Sequence, residues 1–170
     1  LVSMLDVPAR RSAENASDAD TTEDITIRVV WLIEKSAQTK DIGETPGDLA
    51  KAIEALRKKT GIGELGMAAQ LLVQSNAADG GNVTAAGTAR LDDTRSAINY
   101  SGKVRSTGPD RYELQSTIEV RGLSFADEQS NTQCNLKTTC RLMAPGRPVI
   151  LGTTPIESKA SVFVVEILGK

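Results

Sequence analysis

The chain has 170 residues, a formal net charge of −2 and an aromatic content of only 3%. This length is enough for one compact domain, and the scarcity of aromatic residues predicts an aliphatic core of the kind that packs well in sheets. The absence of histidine excludes catalysis by an imidazole base, and the scattered Lys and Arg residues indicate no basic face concentrated enough to bind nucleic acid.

The N-terminal region differs in composition from the rest of the chain. Residues 1–8 have the pattern of the end of a helix, which Pro8 would stop. The residues that follow are polar and rich in Ala, Ser and Asp, which predicts a linker or an extended arm. We therefore predict a helix end and arm over residues 1–24 and a single α+β domain over residues 25–170. Three apolar residues of the helix end are candidates for a contact with another subunit: Leu1, Val2 and Leu5.

A strand and a helix are predicted next. Residues 25–34 carry apolar side chains on alternate positions, and in the middle on both sides, which predicts a strand whose middle part is buried on both faces. At residues 45–48 the sequence predicts the start of a helix, with Thr45 as its cap. Apolar residues recur on one side of this helix until Gly61, which predicts a left-handed C-cap. This helix needs an apolar surface on which to pack.

After the helix, the chain is predicted to be β-structure throughout. Turns rich in Gly, Asp and Pro separate the strands. From Tyr112 to Arg121 apolar and polar residues alternate, which is typical of a sheet with one face in water. This wet face, around Tyr100 and Tyr112, is a candidate surface for a small ligand or glycan. Three further strands are predicted between the helix and Tyr112: residues 65–74, 83–89 and 97–105.

The last third of the chain is its most hydrophobic part. The alternating residues 136–142 predict a strand, residues 145–147 a turn, and residues 149–152 a returning strand. Residues 160–168 are almost wholly apolar and predict a closing strand, which would accept a further strand if its edge is open. Two of its residues are candidate interface residues: Val162 and Val164.

Together these patterns predict an α+β fold. It consists of an antiparallel sheet of seven to eight strands, arranged in one layer or two, with one main amphipathic helix packed on one face.

Few residues in the sequence are candidates for a catalytic, metal-binding or cofactor-binding role. Glu166 stands among apolar residues of the closing strand, and it is either a residue on a wet outer face or a buried acid with a raised pKa; we favour the first. Cys134 and Cys140 would lie about 20 Å apart along one straight strand, beyond the reach of a disulfide. A bridge would need a bend between them, so we expect free thiols. No residue pattern predicts a cofactor or a metal ion, and we expect that the protein is not an enzyme.

Two parts of the chain resemble the secretins, the ring-forming outer-membrane proteins of secretion and pilus machines. Residues 1–8, followed by the strand over residues 25–34, are similar to the end of a secretin periplasmic repeat. Residues 136–142, the turn at 145–147 and residues 149–152 are similar to a hairpin of the secretin core, where a Thr-rich strand leads through a Gly turn into a Val/Leu-Leu-Gly strand. The resemblance implies a scaffold relative in the cell envelope, and it assigns no functional residue.

Our first hypothesis is a non-catalytic structural or assembly module of a bacterial cell envelope, which acts through protein–protein contacts and can form homo-oligomers. The alternative is a periplasmic or extracellular domain that binds a small ligand or a glycan. Neither hypothesis involves nucleic acid or a membrane-spanning segment, because the longest apolar runs are far too short to cross a bilayer. Since the chain begins with Leu1 rather than Met, we expect a mature product or a piece of a longer protein.

Overall fold

A computed structural model describes residues 24–36, 42–76, 80–91, 94–123, 130–144 and 146–169. These residues contain eight strands and one short helix, α1 (Ala50–Thr60), which follows a single 3-10 turn at Gly47–Leu49. The strands are β1 (Asp24–Glu34), β2 (Leu65–Asn76), β3 (Asn82–Leu91), β4 (Thr94–Gly108), β5 (Arg111–Leu123), β6 (Ser130–Met143), β7 (Val149–Ile156) and β8 (Lys159–Gly169).

The strands form two four-stranded antiparallel sheets. Sheet A has the order β2-β1-β8-β7, and sheet B has the order β3-β4-β5-β6. Every pairing is antiparallel. The predicted α+β fold is therefore confirmed, with eight strands in two layers. The helix has only 11 residues, so it is a short helix and not the main amphipathic helix that was predicted.

The main core lies between the two sheets. Because side chains alternate along a strand, every second residue of sheet A meets the inward residues of sheet B. Trp31 of β1 and Phe163 of β8 stack at its centre with ring centroids 6.1 Å apart, and both are fully buried. Around them the core is mostly Ile, Val and Leu, as the composition predicts.

The helix α1 covers part of the outer face of sheet A. Leu49 and Ile53 belong to the same buried cluster as Val30 and Leu32 of β1. This second cluster explains why β1 is apolar on both sides: one side faces sheet B and the other faces the helix. The prediction that the middle of β1 is buried on both faces is confirmed.

The two ends of α1 differ from each other in how well they were predicted. Gly61 ends the helix in the left-handed conformation, with φ of 73°, as predicted. Thr45 was predicted to cap the start of the helix, and this is wrong: its hydroxyl donates to the Leu65 carbonyl oxygen at 2.8 Å, and no side chain caps the N-terminus. Thr45 instead ties the segment before the helix to β2.

The predicted hairpin in the last third is also wrong. β6 is the edge strand of sheet B, whereas β7 is the edge strand of sheet A, so the chain crosses from one sheet to the other after Ala144. At this crossing the Gly146 N–H donates to the Ile167 carbonyl oxygen of β8 at 3.0 Å. β6 therefore pairs with β5, and β7 pairs with β8.

In the part of the chain that the structure describes, no helix has both the length and the hydropathy needed to cross a lipid bilayer.

Candidate functional site

The two tyrosines predicted on a wet face lie in the core. Tyr100 and Tyr112 are 2% and 0% exposed, and the Tyr100 hydroxyl lies 3.3 Å from the Ser116 hydroxyl. Burial raises the pKa of Tyr100. The placement of these rings in water is therefore wrong, because Tyr112 shares its side of β5 with Leu114, which also faces sheet A.

The predicted interface residues of β8 are covered as well. β8 lies between β1 and β7, so it has no open edge. Val162 and Val164 are buried in the cluster beneath α1. An accessible interface at these two residues is therefore excluded. The other predicted interface residues lie outside the described part of the chain: Leu1, Val2 and Leu5.

Glu166 lies on the outer face of sheet A, but it is largely shielded from solvent. Only 6% of the residue is exposed, and its carboxylate forms an ion pair with Arg28 on the neighbouring strand. Asp48 binds the same guanidinium from the turn before α1. Burial alone would lower the pKa of Arg28, but the hydrogen bonds to Asp48 and Glu166 outweigh burial and raise this pKa. The cluster ties the helix to sheet A.

The largest concentration of charge lies on the outer face of sheet B. The residues there alternate with the core residues of the same strands, and nothing in the described part of the chain packs over them. Eight of them are basic and exposed, and only two are acidic. We call this surface the basic face, and its charged residues are Arg90, Arg95, Lys103, Arg105, Arg111, Glu113, Glu119, Arg121, Lys137 and Arg141.

Polar uncharged side chains fill the space between these charges. One row across the sheet consists of Asn82, Lys103, Gln115 and Thr139, and the next row consists of Thr84, Ser101, Thr117 and Lys137. These two rows line a shallow depression of about 750 Å³. From strand and residue spacing, the Cα atoms of its two lysines are on the order of 12 Å apart. The depression thus offers hydroxyl and amide groups between two cations.

Within the described residues, most of the cations on the basic face have no carboxylate partner. Arg121 pairs with Glu119 at 2.9 Å. Among the described residues, none of the other seven basic side chains lies within ion-pair distance of a carboxylate. Arg90 and Arg95 even lie directly opposite each other in the β3–β4 pairing, an arrangement that destabilises a sheet. The face can therefore attract and hold a ligand with several negative charges.

Sequence reasoning missed this face and predicted that none exists. The eight basic residues are spread from Arg90 to Arg141 over four strands, and only their pairing brings them together. Alternation within each strand was the available signal, since these residues all fall on the polar side. Within the described residues, no group of three or more Cys, Asp and Glu side chains could hold a metal ion.

Comparisons of this chain with protein-family models, with curated proteins and with solved structures find no match.

Proposed function

We propose that the protein is a non-catalytic binding module that holds an extended anionic glycan across the basic face. The observation that carries this proposal is the charge separation. A chain with a formal net charge of −2 collects eight basic and two acidic side chains on one exposed sheet surface. Unpaired like charges oppose folding, and such a local conflict is typical of a functional surface.

The chemistry between the cations favours a glycan over a nucleic acid. Thr84, Ser101, Thr117 and Thr139 offer hydroxyl groups, and Asn82 and Gln115 offer amides, all of which can exchange hydrogen bonds with sugar hydroxyls. Single-stranded nucleic acids are usually held by stacking of bases on aromatic side chains. The described residues of the basic face include no aromatic side chain. A polysaccharide that carries carboxylate or sulfate groups matches both features of the face: its anionic groups suit the cations, and its hydroxyl groups suit the polar side chains between them.

Binding to immobilised heparin and to polygalacturonate tests this proposal. We expect the protein to bind both at low salt, despite its acidic sequence pI of about 5.3, and to elute as salt screens the charges. The double variant Lys103→Glu and Lys137→Glu should lose binding at least tenfold. The matched control is Lys51→Glu with Lys59→Glu, which makes the same charge change on the exposed side of α1.

Three results would contradict the proposal. Equal losses in the two double variants would show that net charge, and not the basic face, determines binding. If the protein bound neither heparin nor polygalacturonate, the proposal that an anionic glycan is the ligand would be contradicted. Duplex or single-stranded DNA that competes far better than both polysaccharides would assign the face to nucleic acid instead.

A second candidate function is assembly through protein–protein contacts, as expected from the sequence. The observation that favours it is β3, an edge strand of 10 residues without proline and with an unbroken pairing to β4. Edge strands of this kind accept further strands from other chains. We also propose a cell-envelope location and a distant relation to secretins, which fractionation of the producing cell tests: recovery only in the cytosol would contradict both.

A further inference from the structure

The four edge strands of the two sheets differ in how well they are protected. β7 carries Pro155 and an irregularity in its pairing. β2 is bridged by Gly43 at Met67, and β6 has a register shift opposite Val120 and Arg121. β3 has none of these features, and all ten of its residues pair in register with β4. Its other side is therefore the most regular edge with which no strand in the described part of the chain pairs. β2 of sheet A runs close to β3, and the Leu71 side chain lies near Gly87.

The sequence of β3 is close to symmetrical about Ala86. If two copies of β3 pair antiparallel with Ala86 on the two-fold axis, outward residues meet outward residues, as pleating requires. Thr84 then lies opposite Thr88, Ala85 opposite Gly87, and Val83 opposite Ala89. A Thr–Thr pair across strands is favourable, and the small residues beside the axis let the backbones approach closely.

The charges also suit this register. Arg90 is the only charged residue of β3, and it lies opposite Asn82 of the second copy. No like charges therefore lie directly opposite each other in the new strand pair. A self-complementary edge of this kind matches an isologous interface, in which each copy uses the same surface.

We propose that a second copy of this chain pairs with the first through β3, antiparallel and centred on Ala86. This inference rests on the second candidate function, assembly, and names its partner. A two-fold axis perpendicular to the sheet keeps both outer faces on the same side. The two basic faces then become one surface of eight strands, on which a long anionic polymer gains contacts with both copies.

Single cysteine substitutions test the register. Ala86→Cys places two thiols opposite each other, so we expect a disulfide-linked dimer on mild oxidation, seen by non-reducing electrophoresis. Thr84→Cys alone should give no cross-link, since the two copies of this residue are about 14 Å apart, whereas a mixture of Thr84→Cys and Thr88→Cys should give one. Ser101→Cys, exposed on the inner strand β4, and the unmodified chain with its two native thiols are the controls.

Light scattering distinguishes two ways in which the proposal could be wrong: the chain could form a dimer that does not use β3, or it could form no dimer at all. We expect a dimer that Ala86→Lys converts to a monomer, because two lysines would meet on the axis, while Ala97→Lys on β4 leaves the dimer unchanged. A dimer that survives Ala86→Lys and gives no Ala86→Cys cross-link would overturn β3 pairing and leave assembly standing. A monomer at every concentration tested would overturn both, and neither result affects glycan binding by the single basic face.

Discussion

Arg28 of β1 and Glu166 of β8 lie directly opposite each other and form an ion pair that joins the two central strands of sheet A. Their side chains are 11% and 8% exposed, respectively, whereas that of Asp48, the second carboxylate on Arg28, is 54% exposed. The Arg28–Glu166 pair is therefore largely removed from water, and neither charge can be left alone without a penalty.

We expect Glu166→Ala to lower the free energy of unfolding by about 3 kcal/mol, because Arg28 would stay charged with only an exposed carboxylate beside it. Urea denaturation measures this change. The control is Glu54→Ala, which breaks an exposed pair with Lys58 on α1 and should leave the unfolding free energy unchanged within error. Equal effects of the two substitutions would show that burial adds nothing to the Arg28–Glu166 pair.

Ser161 and Ser116 are both buried, but their hydroxyl groups differ in partners. The Ser161 hydroxyl has no hydrogen-bond partner in the described part of the chain, whereas the Ser116 hydroxyl lies 3.3 Å from that of Tyr100. We expect Ser161→Ala to raise the free energy of unfolding by about 1 kcal/mol and Ser116→Ala to lower it by a similar amount. Thermal or urea unfolding of both variants checks the opposite signs. A loss of stability in Ser161→Ala would indicate a partner that the described residues do not supply.

A substitution in the Arg90–Arg95 pair should change ligand binding and folding stability in opposite directions. Because like charges lie opposite each other there, Arg95→Glu should raise the unfolding free energy by about 0.5 kcal/mol through a new cross-strand ion pair. The same substitution removes a cation from the basic face, so binding to heparin should weaken. A variant that is more stable and binds less tightly is the expected result, measured by urea unfolding and affinity chromatography. Unchanged binding would exclude this end of the face from the ligand site.

The sequence predicted local structure well because strand and helix periodicity is local. The alternation in β5 and the doubly apolar β1 both correspond to strands in the structure. What it could not provide is pairing, which depends on residues far apart in the chain. Glu166 meets a partner 138 positions earlier, and only the pairing shows that the closing strand, β8, has a strand on each side and no open edge.

The candidate site was missed for the same reason. Lys103 and Lys137 belong to strands β4 and β6, which become near neighbours only because β5 lies between them. Along the sequence, the immediate neighbours of each lysine are neutral. The error over Tyr112 is different, since the alternation with Leu114 and Ile118 already placed it on the apolar side.

Gly146 occupies a position where a side chain would strike the backbone. A Cβ atom added there would lie 2.4 Å from the Met143 carbonyl oxygen and 3.2 Å from that of Ile167. Since the backbone cannot yield as a flexible side chain can, Gly146→Ala should lower the free energy of unfolding by about 2 kcal/mol. The control is Gly169→Ala, where an added Cβ meets no atom within 4 Å. Similar stabilities of the two variants would contradict a tight crossing between the sheets.

The two cysteines should make stability depend on alkaline pH. Burial raises the pKa of the Cys140 thiol to about 11 and also raises that of Cys134, whereas a thiol in an unfolded chain has a pKa of about 8.5. Between these values the unfolded chain has lost a proton that the folded chain keeps. The stabilisation from the buried neutral thiol is therefore full below pH of about 8.5 and declines as the pH rises toward 11.

We expect the unfolding free energy of Cys140→Ala to decline less steeply over this pH range. The difference between the variant and the unmodified chain gives the contribution of the Cys140 thiol, because all other titrating groups are common to both. Urea unfolding at several pH values across that range measures it. A thiol-specific reagent gives an independent check at pH 8, where we expect both thiols to react slowly in the folded chain and rapidly in urea. Rapid reaction of Cys140 in the folded chain would mean that the inward side of β6 opens to solvent, and would contradict its raised pKa.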